Sequence, residues 1–378
     1  MTRSVVLAQT PYGWIQRQAR EFVAGTTQPS LPSVLGAICT AALCFLACMW
    51  LITPQFVAAG ASKYIVMNAR DDSAHITAKV LGIQQSSWHG VSLVAIGDSM
   101  LREAVTSEEV LHKLLSKKTG RNVAVHLLTG GGFSHWHAMG LADCVRDRVR
   151  GVVLLEISLY NLSLPPAAWQ EVANEQRLAL DSPAFDEEGR QLGMKVPHRH
   201  SNYFLNHFWF FAARTEAVLN ALTGPVPYAQ HFAGESRRWM RDRLLAAQSI
   251  TNKWERRYER NRDVNLAAYG RIIQHLRERN GITVVLLEGV QNPDNLRLAK
   301  DVATSKRIRD QYRADVSRFA KEANVPHWDL SEAADLRPTD FEDPSHISSP
   351  AARCRYTEVL AARVAELLQS QSNEVQKQ

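Results

Sequence analysis

The sequence predicts an α/β protein in which a parallel sheet lies between two layers of helices, preceded by one N-terminal transmembrane helix. Three observations predict this fold. Short apolar runs rich in β-branched residues alternate with amphipathic segments over residues 91–159, the same alternation returns after residue 265, and an uncharged apolar stretch precedes both. Such alternation is typical of a parallel sheet, because each crossover connection places a helix against a sheet face.

Composition is ordinary for a folded protein and argues against a disordered chain and against a nucleic-acid-binding protein. The chain has 378 residues, of which 45% are hydrophobic and 22% charged, so it is long enough for one large domain or two modest ones. The net charge of +6 is spread over acidic and basic residues that alternate along the chain. Without a sustained basic stripe, we expect no nucleic acid as a partner.

The N-terminal apolar stretch predicts a membrane anchor. Residues 34–52 form a run of 19 residues without a charge, and a helix needs about 20 such residues to cross a bilayer. A signal peptide, with an apolar core of roughly 7–15 residues and a cleavage site at the small residues 58–61, is the less favoured alternative. A buried core helix is also disfavoured, because no polar face interrupts the run.

Charges around the stretch predict its orientation. Arg3, Arg17 and Arg20 precede it, whereas Lys63 is the only charge shortly after it, and basic residues favour the cytoplasmic side. We therefore expect a single-pass protein of the inner (plasma) membrane whose later residues are extracytoplasmic, which means periplasmic in a bacterium. The predicted organisation is a cytoplasmic segment 1–33, an anchor 34–58, a domain 61–370 and a polar tail 371–378.

Within the domain, periodicity predicts the elements in order. After a connecting segment, 61–90, strands are predicted at 91–96, 122–128, 151–159, 282–290 and 327–331. Helices are predicted at 100–120, 139–149, 265–281, 307–325 and 352–368. Residues 162–260 contain several prolines and no clear apolar strand, and they predict a mostly helical insertion.

Polar residues follow the first strand, where ligands bind in an open parallel sheet. Gly97, Asp98 and Ser99 lie between that strand and the next helix. A serine at a helix start lies near the positive end of the helix dipole, which suits a nucleophile. An ordinary helix N-cap is the competing interpretation, because serine is a preferred cap.

The second and third strands end in groups that can stabilise an oxyanion. Gly130, Gly131 and Gly132 form a turn whose backbone N–H groups can hold developing negative charge, although such a turn alone is weak evidence. Asn161 follows the third strand and offers an amide donor, although asparagine is also common in loops.

Asp343, Pro344, Ser345 and His346 precede the last helix. A serine nucleophile needs a base, and a histidine base needs a carboxylate to fix its tautomer. Three residues of spacing in a turn allow the carboxylate to reach the ring. A capping aspartate followed by a surface histidine is the alternative.

Together these four segments resemble the signature blocks of the SGNH, or GDSL-like, hydrolase superfamily, in the same order. The resemblance covers about residues 91–161 and 282–368. It implies nucleophile Ser99, base His346 and orienting Asp343. It also implies oxyanion donors from the Ser99 N–H, Gly131 or Gly132, and Asn161. The third block departs from the family, because residues 156–161 read EISLYN where many members have a glycine before the asparagine.

The anchor, domain and insertion are also similar to membrane-anchored SGNH-like proteins that modify envelope polysaccharides. That resemblance implies an esterase or O-acyltransferase acting on acylated glycans, with the bilayer and a multi-span membrane acyltransferase as partners. A triad does not distinguish transfer to water from transfer to a sugar. A lipid or small-ester hydrolase and a catalytically inactive scaffold of a membrane acylation complex are the alternatives.

The remaining polar candidates predict less. Asp98, His135 and Trp136 lie beside the predicted site and are candidates for substrate contact. His135 and His137, like His198 and His200, are close pairs without a fixed third ligand, so we predict neither a metal nor a cofactor. Of five cysteines, Cys144 and Cys354 lie outside the apolar stretch; either they pair in an oxidising compartment or, as we favour, they are two small buried residues.

Overall fold

The computed structural model describes residues 31–56, 72–88, 90–175, 182–207, 238–279, 281–297, 299 and 301–377. The chain divides into two compact units, residues 1–53 and residues 54–378, and each is described by itself. Most of the predicted cytoplasmic segment, the small residues 58–61 and Lys63 lie outside the described residues.

The described part of the first unit is one apolar helix. Helix α1 covers Leu31–Leu51, is apolar along its length and has no buried residue. At a rise of about 1.5 Å per residue its 21 residues are long enough for a bilayer core of about 30 Å. By length and composition the helix can therefore cross a membrane, as residues 34–52 predicted.

The second unit is built on five parallel strands. They are β1 (Ser92–Gly97), β2 (Ala124–Thr129), β3 (Gly151–Ile157), β4 (Ile282–Glu288) and β5 (His327–Trp328). Their order in the sheet is β2-β1-β3-β4-β5, and every neighbouring pair is parallel. The strands predicted from apolar runs agree with this sheet to within about two residues at most ends.

Helices connect and cover the strands. Before and between the first three strands lie α2 (Pro54–Phe56), α3 (Asp72–Gln85), α4 (Ser99–Ala104), α5 (Glu108–Thr119) and α6 (His135–Val145). After β3 come α7 (Leu159–Ser163), α8 (Ala168–Glu175), α9 (Pro183–Gln191), α10 (Tyr203–Asn206), α11 (Arg238–Arg277), α12 (Val302–Glu322) and α13 (Pro350–Lys377). The described part of 162–260 is helix and loop, consistent with a helical insertion.

Alternating strand residues place one apolar core on each face of the sheet. In β1, Val94 and Ile96 belong to a cluster with residues of α3, α6, α11 and α12. Leu93 and Ala95 belong to a second cluster with residues of α4, α5 and α13. This alternation follows from the two-residue period of a strand, and it confirms the predicted α/β/α layers.

Several helix boundaries differ from the periodicity. The helix predicted over 100–120 is two helices, because Ser107 caps the second by accepting the Val110 N–H at 3.1 Å. The side chain of Thr357, far along the chain, accepts the Thr106 N–H at 2.9 Å and stabilises the break. Helix α3 lies in the segment predicted as a connection. Helix α13 continues to Lys377, through the predicted polar tail.

The two cysteines outside the apolar helix also differ from the expectation. Cys144 and Cys354 are both free, and Cys354 is exposed while Cys144 is half-buried. They do not form a disulfide, and the favoured expectation of two buried residues was wrong. Cys354 lies on the outer part of α13, where its thiol contacts the Thr106 hydroxyl at 3.8 Å.

The strand order determines where a site can form. Strand β1 has β2 on one side and β3 on the other, so the chain leaves β1 in one direction and returns past it. A crevice forms at such a reversal, outside the carboxyl ends of the two strands. Here the reversal lies between the end of β1 at Gly97 and the end of β3 at Ile157.

Candidate active site

Ser99 is the first residue of α4, and only Asp98 separates it from the end of β1. Asp98 caps this helix, because its Oδ1 accepts the Met100 N–H at 2.7 Å. The cap interaction belongs to Asp98 and leaves the Ser99 hydroxyl available for a different partner. The first N–H groups of a helix also lack intrahelical acceptors, so the Ser99 backbone N–H is available as a donor.

His346 lies in the loop before α13. Asp343 Oδ1 accepts the backbone N–H groups of Ser345 at 2.7 Å and His346 at 2.8 Å, which closes a tight turn. A β-bridge between Phe341 and Ile347 joins the two ends of this loop. The same aspartate therefore shapes the turn and lies beside the imidazole.

A second loop holds this turn from outside. The Asn292 N–H donates to the carbonyl of Pro344 at 2.9 Å, and Asn295 Nδ2 donates to the same oxygen at 2.7 Å. Both asparagines follow β4, in and around the 3₁₀ turn Pro293–Leu296. The position of the histidine is thus fixed relative to the sheet by main-chain and amide contacts.

Ser99, His346 and Asp343 form a continuous hydrogen-bonded relay. His346 Nδ1 lies 2.6 Å from Asp343 Oδ2. Because a carboxylate only accepts, Nδ1 carries the proton and Nε2 is left to accept. The Ser99 hydroxyl donates to Nε2 at 2.8 Å. The structure thus brings together the three residues that the sequence predicted, separated by up to 247 positions.

Electrostatics supports the same tautomer. Burial disfavours the charged imidazole, but the hydrogen bond and the negative charge of Asp343 outweigh it and raise the pKa of His346 above its usual value. Burial likewise opposes the charge on Asp343, yet the His346 ring and two backbone N–H groups lower the pKa of that carboxyl. The pair therefore favours ionised Asp343 and a more basic imidazole.

A buried carboxyl pair lies beneath the serine. Glu156 Oε2 accepts the backbone N–H of Asp98 at 2.5 Å, and both carboxyl groups are buried. Burial raises the pKa of Asp98 to about 6. Burial and the neighbouring charge of Asp98 raise the pKa of Glu156 well above its usual value. Because two such groups do not both ionise readily at close range, we expect Glu156 to hold its proton more strongly than an ordinary glutamate.

The predicted glycine turn lies at the end of β2. The Phe133 N–H donates to the carbonyl of Gly130 at 3.2 Å, and Gly132 has a φ of +71°, as the third residue of a type II turn requires. Both Gly131 and Gly132 are exposed, but Gly132 alone of the two lines the cavity beside Ser99. Of the two predicted oxyanion glycines, the geometry favours Gly132.

Asn161 is not among the residues that line this cavity. Helix α7 starts at Leu159, and Ser158 caps it by accepting the Asn161 N–H at 3.2 Å. The helical turn directs the Asn161 amide inward, where it is buried and acts on the Tyr269 hydroxyl. Ser158 lies in the cavity instead. The sequence offered one signal for Ser158, which is its position directly after β3. A serine at that position is also an ordinary helix cap, so the signal is weak.

The cavity has a volume of about 270 Å³ and extends from Ser99 and His346 to residues of α11 and α12. One wall is aromatic, since the rings of Tyr160 and Trp254 lie 4.7 Å apart between centroids. Arg309 of α12 forms another part of the lining. The remaining lining residues are Asp98, Met100, Gly132, Ser158, Leu159, Gln291, Asn295, Pro344 and Ser345. Sequence reasoning did not find Arg309, because it lies on a long charged helix with many similar residues.

Two predicted substrate contacts lie elsewhere. His135 and Trp136 are at most 1% exposed and do not line the cavity. They begin α6, and the His135 ring contacts Trp136 and Tyr269 with centroids 4.1 and 5.4 Å away. Asp98, the third candidate, does line the cavity but uses its carboxylate as a helix cap. Substrate contact at His135 or Trp136 would require the start of α6 to open.

Comparisons with known proteins add little to this geometry. No protein-family model and no curated protein sequence matches the chain. A solved structure from Agrobacterium tumefaciens str. C58, of a protein provisionally assigned as an arylesterase, is similar over 74% of this chain and 100% of that chain, with 14% identity and a TM-score of 0.32. At that TM-score the likeness shows nothing about the function of this chain.

Proposed function

We propose that the chain is an SGNH-type serine hydrolase or O-acyltransferase that acts on ester bonds through an acyl-enzyme. The observation that carries the proposal is the Ser99–His346–Asp343 relay, with contacts of 2.8 and 2.6 Å at the edge of a cavity. A serine hydroxyl is weak as a nucleophile until a positioned base accepts its proton. The order of the four sequence blocks supports the same class.

In the proposed reaction, Ser99 Oγ attacks the ester carbonyl while His346 Nε2 takes the hydroxyl proton. Asp343 stabilises the imidazolium that results. The backbone N–H groups of Ser99 and Gly132 donate to the oxyanion of the tetrahedral intermediate. His346 then protonates the leaving alcohol, and an acyl-enzyme remains on Ser99.

The second half of the proposed reaction determines the enzyme class. When water attacks the acyl-enzyme, the product is a free acid and the protein is an esterase. When a sugar hydroxyl attacks, the acyl group is transferred and the protein is an O-acyltransferase. In both cases His346 removes the proton of the attacking group, so one relay serves both outcomes.

We propose an acylated envelope glycan as the substrate and the inner membrane as the location. Helix α1, the basic residues before it and the family resemblance support this assignment. In this proposal α1 spans the bilayer with its N-terminus in the cytoplasm, the site is periplasmic, and a multi-span membrane acyltransferase is a partner. A lipid or small-ester substrate is the second candidate, favoured by the apolar lining from Met100, Leu159 and Trp254.

Covalent labelling tests the proposed chemistry. The full chain in detergent is treated with a fluorophosphonate, and the intact mass is measured. We expect one adduct on the wild type and none on Ser99→Ala, with the two proteins equal by circular dichroism. A folded wild-type protein that gains no adduct would contradict the proposal and favour the scaffold alternative.

The free cysteine Cys354 tests the proposed orientation. It is exposed on α13, so a membrane-impermeant maleimide added to spheroplasts of a bacterial host should label it. Cys354→Ser is the matched control, because the remaining cysteines include those of the apolar helix. Labelling that appears only after the spheroplasts are lysed would place the domain in the cytoplasm.

A further inference from the structure

The cavity beside Ser99 contains one arginine with an unusual environment. Arg309 Nη1 donates to the side-chain oxygen of Gln291 at 2.5 Å, which is a neutral acceptor. Its Nε is buried and has no acceptor among the described residues. Part of the guanidinium fork is therefore unsatisfied at the wall of the cavity.

Arg309 also lacks a counter-ion in the described part of the chain, unlike Arg307 and Arg318 of the same helix. Arg307 pairs with Glu259 at 2.6 Å, and Arg318 pairs with Asp315. No carboxylate of the described residues lies within ion-pair distance of Arg309. The charge of Glu255 acts on Arg309, but the Glu255 carboxylate accepts the Ser305 hydroxyl at 2.7 Å instead.

An unpaired charge that is partly removed from water is costly unless a partner compensates it. Arginine presents several N–H donors in a plane that matches carboxylate and phosphate groups. Among the described residues that line the cavity, those that carry a charge are Arg309, the capping carboxylate of Asp98 and, when protonated, His346. Arg309 is thus the fixed cation of this lining, and Ser99 opens into the same space.

We propose that the ester attacked by Ser99 carries an anionic group, a carboxylate or a phosphate, which Arg309 binds while the scissile carbonyl lies at the serine. The inference depends on the proposed function, because it names the substrate class of the same site. The Tyr160–Trp254 wall lies in the same cavity and packs against the uncharged part of the substrate. A cavity of about 270 Å³ keeps the anion and the ester within one small molecule or one sugar unit.

Equilibrium binding tests this inference without requiring turnover. The full chain carrying Ser99→Ala, which cannot be acylated, is titrated with two matched ester pairs. One pair is 3-O-acetyl methyl glucuronide and 3-O-acetyl methyl glucoside. The other is 1-acetylglycerol 3-phosphate and 1-acetylglycerol. The pairs separate a carboxylate from a phosphate as the source of the anion.

We expect the anionic member of at least one pair to bind about 10- to 100-fold more tightly than its neutral partner, the range for a charge-assisted contact. Adding Arg309→Gln should abolish this preference and leave the neutral ester within about threefold. Arg309→Lys should retain part of it. Arg307→Gln, on the same helix but exposed and paired with Glu259, is the control and should retain all of it.

Equal binding within both pairs, or a preference that survives Arg309→Gln, would overturn the inference. Failure of the proposed function gives a different result, namely no fluorophosphonate adduct on the wild type. A protein that binds anionic esters through Arg309 but gains no adduct would retain the binding site and lose the catalytic proposal. A protein that gains the adduct but shows no preference for anionic esters would retain the catalytic proposal and lose the proposed binding site.

Discussion

Glu156 of the third strand accepts the backbone N–H of Asp98 at 2.5 Å, so the end of β3 holds the turn that presents Ser99. The approach is close because residue 97 is glycine. A Cβ added at Gly97 would lie 2.1 Å from Glu156 Oε2 and 2.8 Å from Glu156 Cβ. The glycine before Asp98 is therefore required by the side chain of a neighbouring strand.

This contact predicts that Gly97→Ala displaces the Glu156 side chain and destabilises the fold by about 1–3 kcal/mol, the usual cost of overpacking. Urea unfolding measures the change. Gly140→Ala is the matched control, because a Cβ there would meet nothing nearer than 3.9 Å and alanine favours a helix interior. Equal unfolding free energies for the two variants would contradict the role assigned to Glu156.

Asp343→Asn separates geometry from tautomer. The amide oxygen can still accept the backbone N–H groups of Ser345 and His346, so the turn should persist. The amide NH₂ then faces His346 Nδ1 and favours the tautomer with the proton on Nε2, which cannot accept from Ser99. We expect the fluorophosphonate labelling rate to fall about 10³- to 10⁴-fold, as for triads in general.

The control for that substitution is Asp335→Asn, because Asp335 is exposed and pairs with Arg337 away from the site. Its labelling rate should equal that of the wild type. A fall of less than tenfold for Asp343→Asn, in protein that remains folded, would show that Asp343 does not set the protonation of His346.

The raised pKa of His346 predicts a pH profile. The base must be neutral, so the labelling rate should rise with pH through an apparent pKa above 6.5. The free energy of unfolding should change with pH in the opposite direction. A histidine whose pKa is raised by folding stabilises the protein fully below its unfolded value and loses that contribution as pH rises through the folded value. Rate and unfolding free energy should therefore change in opposite directions over one pH window.

Stopped-flow labelling and urea titrations from pH 5 to 9 measure both quantities. Asp98 and Glu156 add to the second, because carboxyls with raised pKa values also lose stability as pH rises, for Asp98 between about 4 and about 6. The stability contributed by Asp98 is lost at a lower pH than the stability contributed by His346. The variant Glu156→Gln removes the contribution of Glu156. A labelling rate independent of pH between 6 and 8 would contradict the assignment of His346 as the base.

Much of this site could be predicted because its chemistry lies at strand ends. Ser99 and Gly132 follow apolar runs that are visible in the sequence, and Asp343 and His346 lie three residues apart. Arg309 could not be predicted. It lies on a helix whose periodicity identifies the buried face but not which polar residue meets a cavity. The break between α4 and α5 was hidden for a related reason, since Thr357 stabilises it from 251 residues away.

Ser158 lies in the cavity at the place where the sequence predicted Asn161 as an oxyanion donor. Ser158 lines the cavity and uses its oxygen to accept the Asn161 N–H, so its hydroxyl proton remains available to an oxyanion. Ser158→Ala should slow labelling about 10- to 100-fold and cost about 1 kcal/mol as a lost helix cap. Ser107→Ala removes a similar cap from α5 and should cost similar stability without slowing labelling. Asn161→Ala should mainly reduce stability, because its amide is buried against Tyr269. If Asn161→Ala slows labelling more than Ser158→Ala at equal folded fraction, the amide and not the hydroxyl is the third oxyanion donor.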